Sequence, residues 1–214
     1  CLLCVLLDKA DGTVARLLKA SSDFGVQLDS LSDLITFGVA PSAIVLAAFV
    51  GKHPVVDLSV IPSYRALVYV GAFLFAICAA LRLAKFNVLT DRYGKAYFFG
   101  LPTTLTGALV CAYYLTARKY GLPWQVLAAL PSLMIILALL MVSRVPLPKL
   151  VVRSRLSLNV FQFANVFFVY LFGLLRMFPE YLLAVGFCYA TIGMLVGVLQ
   201  GAKPPAPTGE LSQG

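Results

Sequence analysis

Residues 120–143 read YGLPWQVLAALPSLMIILALLMVS, twenty-four consecutive positions without a charged side chain. A helix needs about 20 apolar residues to cross the hydrocarbon core of a bilayer, so this stretch is long enough to span one. Working outward, charge-free runs recur at 34–51 (18 residues), 66–81 (16), 96–117 (22), 156–175 (20) and 181–202 (22). The runs are continuously apolar and do not alternate, which argues against the strands of an outer-membrane barrel. The expected fold class is therefore all-α: a polytopic integral membrane helix bundle with six full spanning helices. Composition agrees. The 214 residues are 61% hydrophobic and 12% charged, against ~45–50% and ~25% in a soluble domain. A water-soluble enzyme, a disordered chain and a nucleic-acid-binding arm are all excluded.

The apolar stretch Cys1–Leu7 is too short to span, with no initiating Met, basic leader or small-residue cleavage site. It reads as the end of a truncated N-terminal helix, so the expected organisation is an N-terminally incomplete membrane domain over 1–200. A disordered cytoplasmic tail is expected over 201–214, where the sequence GAKPPAPTGELSQG is rich in Pro, Gly and Ser. With the connection after Cys1–Leu7 on the cytoplasmic side, twelve of the seventeen basic residues fall on that side and five on the other. This is the positive-inside orientation. The net charge of +8 is thus mainly a topology signal, with some attraction to membrane lipid headgroups. No nucleic-acid partner is expected.

Acidic residues are scarce and unevenly placed. Five of nine lie within the first 33 positions: Asp8, Asp11, Asp23, Asp29 and Asp33. An Asp at the centre of a spanning helix costs ~2.5–3.5 kcal/mol on insertion scales, so carboxylates beside apolar helix mark functional sites by default. On a helix over 1–20, Asp8, Asp11, Gly12 and Ala15 share one face. On a helix over 24–50, Gly25, Asp29 and Asp33 step by four along one face. A short turn at 20–23 makes the two helices antiparallel neighbours, and their four carboxylates converge near the cytoplasmic end. Oxygen ligands without nearby His or Cys suit Mg²⁺, Mn²⁺ or Ca²⁺ and not Zn²⁺. Gly12, Ala15 and Gly25 leave room for a ligand, and Arg16 supplies a fork for phosphate.

The string Asp8-x2-Asp11-Gly12-x2-Ala15-Arg16-x8-Gly25-x3-Asp29-x3-Asp33 resembles the signature of the CDP-alcohol phosphatidyltransferase family, with every fixed position filled. Further segments, Leu28–Asp33 with Phe37–Ser42, Arg82–Asn87 and Phe99–Thr103, are similar to the serine-transferring bacterial and archaeal branch. The likeness runs to about residue 106.

The resemblance implies that CDP-diacylglycerol and L-serine give phosphatidylserine and CMP, with a divalent metal, Mg²⁺ or Mn²⁺, as cofactor. It implies that Asp8, Asp11, Asp29 and Asp33 form the metal set and that Asp33 is also the general base. Gly12, Ala15, Arg16 and Gly25 would bind the CDP-lipid. A homodimer in the cytoplasmic membrane, with its active site at the cytoplasmic face, is expected on the same ground. For the acceptor, the cytoplasmic group Arg82, Lys85 and Asn87 is the candidate, Arg82 for the serine carboxylate. Arg82 and Lys85 can equally anchor a helix end, and Asn87 can cap one.

Two alternatives stay open: a sibling transferase using glycerol phosphate, inositol phosphate or choline, and a non-catalytic transporter with a carboxylate relay. Asp23 reads as a helix N-cap, and Asp57, Asp91 and Glu180 as solvated loop residues. The single His53 rules out a His-based scheme. The five cysteines read as small apolar packers, Trp124 as an interface anchor, and Gly107, Gly173, Gly186, Gly193 and Gly197 as points of close helix packing.

Overall fold

A computed structural model of the chain describes residues 23–50, 62–89, 97–148, 171 and 178–200. Expectations for Cys1–Leu7, the first helix, the 156–175 span and the tail over 201–214 lie outside the described residues, as do His53, Asp57, Asp91 and Gly173. The elements are α1 (Asp23–Asp33), a π-helical segment (Leu34–Val39), α2 (Ala40–Val50) and α3 (Pro62–Leu89). After them come β1 (Tyr97–Phe99), α4 (Thr103–Lys119), α5 (Trp124–Ala128), α6 (Leu130–Val142), β2 (Pro146–Pro148) and α7 (Pro179–Leu199).

Four stretches are helical, long and apolar enough to cross a membrane: Phe24–Val50, Ser63–Val88, Trp124–Val142 and Pro179–Leu199. The chain is thus a polytopic membrane helix bundle. The 96–117 run departs from the simple picture. Its first residues pair as β1 against β2, with Tyr97 opposite Pro148 and Phe99 opposite Pro146. The chain then turns at Gly100, whose φ of +83° suits a residue without a Cβ, and Pro102 precedes the helix. That leaves α4 with 17 residues, about 26 Å of rise.

The first of these stretches runs through a proline. In regular α geometry Pro41 would need to donate to the Phe37 carbonyl, and it has no N–H to give. The backbone resolves this by widening: the Ala40 N–H reaches back five residues to Ile35 O, the π pattern. Ser42 secures the far side, its hydroxyl lying 2.9 Å from Gly38 O and 2.8 Å from Ala72 O on α3. Between the membrane faces every backbone polar group needs a partner within protein, and here a buried serine provides one.

A second proline is handled differently. Pro131 sits at the start of α6, where a missing N–H costs nothing, and the helix restarts after α5. Tyr64 from α3 donates to Ala128 O, and Tyr113 from α4 donates to Val126 O at 2.6 Å. Two hydroxyls thus cover carbonyls at the break.

The core lies where α3 packs along α6 and α2, and α4 along α7. Val45, Phe75, Leu109, Leu130 and Met134 are fully buried within it. Cys78 and Cys111 are buried packers as expected, whereas Cys188 is exposed. Trp124 opens α5 with 54% of its surface exposed, as suits an interface anchor.

Candidate active site

The sequence of α1, DFGVQLDSLSD, places Gly25, Asp29 and Asp33 at steps of four on one stripe. Asp29 is exposed and Asp33 half-buried. Negative charge in the first turn of a helix is favoured by the partial positive charge of its N-terminus, an effect confined to that turn. Asp23 begins the helix. Asp8, Asp11, Gly12, Ala15 and Arg16 lie outside the described residues. Among the described residues there is no group of three or more His, Cys, Asp or Glu able to hold a metal. What the structure displays is therefore one half of the expected carboxylate set.

The π segment begins at the residue after Asp33. Widened helical turns of this kind are rare and occur frequently at functional sites. Its inner residues Phe37 and Gly38 are buried, and it packs on both α3 and α4. Against α4 the approach is close: a Cβ built on Gly107 would stand 2.6 Å from Phe37 O. Against α3, a Cβ on Gly38 would stand 2.9 Å from the Ala79 Cβ. The turn that follows the last acid is thus wedged between two helices and can move toward neither. The close packing expected of Gly107 is met, as it is for Gly186 against Leu109 and for Gly197 against Pro146.

The three acceptor candidates on α3 do not point one way. Asn87 faces α1: its amide nitrogen donates to Ser30 Oγ at 2.9 Å and to Gln27 Oε1 at 3.3 Å. Its Oδ1 lies 3.3 Å from Ser30 Oγ. Lys85 faces α6 and reaches the Val142 carbonyl at 3.5 Å, a favourable place for a cation at a helix C-terminus. Arg82 holds its guanidinium 5.2 Å from the Phe86 ring centroid. Two residues along a helix is a rotation of about 200°, so Lys85 and Asn87 serve different neighbours. The reading of Asn87 as a helix cap is corrected. It lies within α3, and its donors are engaged across the interface with α1.

Ser30 and Gln27 were not singled out by sequence. Their signal is a polar pair three residues apart on a helix whose other faces are apolar or acidic, and that pair meets Asn87. Glu180 is corrected as well. It lies in the first turn of α7, not in a loop. Lys119 bridges to it at 3.1 Å and the Tyr120 hydroxyl donates to it at 2.8 Å. The Lys119 ammonium stands 5.1 and 5.2 Å from the ring centroids of Tyr120 and Phe178. This cluster ties the end of α4 to the start of α7, at the opposite end of the bundle from Asp29.

Comparison with known proteins bears on the family to which this chain is similar. A sequence model described as CDP-alcohol phosphatidyltransferase matches residues 1–143, extending the likeness through the end of α6. The chain is 34% identical over 169 residues to a CDP-diacylglycerol–serine O-phosphatidyltransferase of Helicobacter pylori, covering 77% of this chain and 67% of the relative. Its counterpart in Methanocaldococcus jannaschii is 30% identical over 192 residues, 90% of this chain and 71% of the relative. An archaetidylserine synthase of Methanothermobacter thermautotrophicus is 35% identical over 150 residues, 69% and 56% respectively. The match covers about half the length of the mycobacterial relatives, 46% and 49%.

Proposed function

The chain belongs to the CDP-alcohol phosphatidyltransferase family, and on that premise we propose that it transfers the phosphatidyl group of CDP-diacylglycerol to L-serine, releasing CMP. The observation that carries the reading is the stripe Gly25, Asp29 and Asp33 on a helix that continues into the membrane span, within the region matched by the family. The relatives' names share serine and differ in the lipid, which favours serine over glycerol phosphate, inositol phosphate or choline. A carboxylate-relay transporter accounts for acids beside apolar helix but not for the Gly, Ala and Arg spaced around them.

In this reading the acids of α1 meet Asp8 and Asp11 at the cytoplasmic end, and the acyl chains of the donor stay in lipid. The oxygen-only donor set, exposed at Asp29 and half-buried at Asp33, fits a hard divalent cation. Mg²⁺ or Mn²⁺ held by Asp8, Asp11, Asp29 and Asp33 would neutralise the pyrophosphate and stabilise the departing CMP. Arg16 pairs with phosphate oxygens, and Gly12, Ala15 and Gly25 give the CDP moiety close access to backbone. Asp33 takes the proton of the serine hydroxyl as that oxygen bonds to the β-phosphorus and the bond to CMP breaks. Holding both reactants on one rigid face supplies much of the rate. Arg82 is assigned the serine carboxylate, with Lys85 closing the α6 side. Assembly as a homodimer in the cytoplasmic membrane is proposed on the resemblance alone, and mass photometry in nanodiscs tests it.

The experiment gives purified full-length protein CDP-diacylglycerol, Mn²⁺ or Mg²⁺, and a panel of acceptors, and follows CMP. Release with serine is expected. Release with glycerol phosphate but not serine overturns the acceptor, and no release with any acceptor overturns the enzyme.

A further inference from the structure

The acid stripe is useful only if it points the right way, and the wedge that holds the π segment does not by itself set the rotation of the helix before it. Directly after Asp33 the backbone widens into the π segment Leu34–Val39. A π turn interrupts the regular i→i−4 ladder and is a place where helices bend. A bend there lets the rotation of α1 depend on more than its continuation into α2, which is fixed through Ser42 and the core. A contact from a neighbouring helix can add to what sets it.

Asn87 is placed to do so. It meets α1 at Gln27 and Ser30, one helical turn apart, and it uses both amide hydrogens there. Ser30 Oγ, accepting from Asn87, is also within 3.1 Å of Val26 O, so its one hydrogen has a partner on its own helix. At about 100° per residue, Ser30 stands roughly 100° round the helix from Asp29. With the Gln27–Ser30 side held to α3, the Gly25–Asp29–Asp33 stripe is turned away from α3. An asparagine with both donors committed has none left for a substrate carboxylate.

We propose that Asn87 is a positioning residue: through Ser30 and Gln27 it fixes the rotation of α1, and with it the direction in which Asp29 and Asp33 present their carboxylates. The inference rests on the functional reading above and deepens it.

Asn87→Ala and Ser30→Ala remove the same bridge from opposite sides, so the test is a double-mutant cycle on the full-length protein in nanodiscs. Two quantities are read for each variant: Mn²⁺ affinity, from the EPR signal of free ion, and the KM for serine apart from kcat. Residues that orient metal ligands typically change affinity or activity by ~10–100-fold. Each single variant is expected to weaken Mn²⁺ binding and lower kcat about tenfold, with serine KM unchanged. The double variant is expected to be no worse than either single one. Ser30→Thr, which keeps the hydroxyl, restores both readouts and guards against a folding artefact.

A rise in serine KM confined to Asn87→Ala, with Ser30→Ala behaving as wild type, overturns the proposal and returns Asn87 to the acceptor site. Wild-type Mn²⁺ affinity and kcat in both single variants overturn it too. A wild-type protein that binds no Mn²⁺ and releases no CMP refutes the functional reading itself, which separates the two failures.

Discussion

Replacing Gly107 by Ala should impair catalysis more than its modest change in volume suggests. The new Cβ would stand 2.6 Å from Phe37 O, 2.8 Å from its Cβ and 2.9 Å from its Cα. Ordinary contact begins near 3.4 Å, so α4 and the π segment must part by about 0.5–0.8 Å. The obstacle is mostly backbone, with no flexible side-chain end to swing aside. Overpacking of this kind costs ~1–3 kcal/mol, partly offset by the ~1 kcal/mol that Ala gains over Gly in a helix. The net stability loss is therefore small, ~0–2 kcal/mol. Catalysis is more sensitive. Phe37 lies one turn beyond Asp33, and a misplacement near 1 Å can cost ~100-fold, so turnover should fall by about tenfold or more. Gly186→Ala is the control. Its Cβ would meet Leu109 Cδ2 at 2.7 Å, the end of a flexible side chain at the contact of α4 with α7. The assay is CMP release per folded molecule, with a thermal melt on each variant. Gly107→Ala turning over at the wild-type rate, or Gly186→Ala losing as much, refutes the argument that this contact sets the carboxylates.

Other outcomes follow from the same structure. Asp33→Asn should keep CDP-lipid binding, measured by equilibrium dialysis, while turnover falls by ~10²–10⁴; a near-normal rate removes Asp33 as the base. Chelation of divalent ions should abolish CMP release, and Mg²⁺ or Mn²⁺ should restore it; activity that survives exhaustive chelation contradicts the metal assignment. Ser42→Ala should lower stability by about 1 kcal/mol by deleting the interhelical bond to Ala72 O, read as an earlier melt with activity per folded molecule retained. Glu180→Gln should leave CMP release at the wild-type level, since its partners Lys119 and Tyr120 lie at the far end of the bundle; loss of turnover there would argue against the assigned location of the site.

The helices were legible because lipid imposes a crude demand: about twenty apolar residues without a charge. Trp124–Val142 and Pro179–Leu199 lie on such runs, whereas Phe24–Val50 and Ser63–Val88 extend shorter ones, 34–51 and 66–81, past Asp29 and Asp33 and past Arg65, Arg82 and Lys85. The acid stripe was legible because charge is scarce against such a background and a step of four is readable on any helix. The departures have tertiary causes. The start of the 96–117 run was drawn into pairing with Pro146–Pro148, a partner nearly fifty residues away. Glu180 reads as solvated until α4 brings Lys119 and Tyr120 beside it. The π segment has a sequence cause, Pro41 inside an apolar run, but pattern alone does not say whether a chain breaks, kinks or widens there. Pro131 met the same demand by a break. Arg82, Lys85 and Asn87 look like one cluster when read as a string, yet the helical rotation between them already places Lys85 and Asn87 on different sides.

The central claim is tested most directly by following the serine oxygen. Full-length protein is given CDP-diacylglycerol, Mn²⁺ and serine carrying heavy oxygen in its hydroxyl, and both products are analysed by mass spectrometry. The account predicts labelled phosphatidylserine and unlabelled CMP, because the serine oxygen becomes the bridging atom to phosphorus. Unlabelled phosphatidylserine, or CMP formed without any serine lipid, would contradict it.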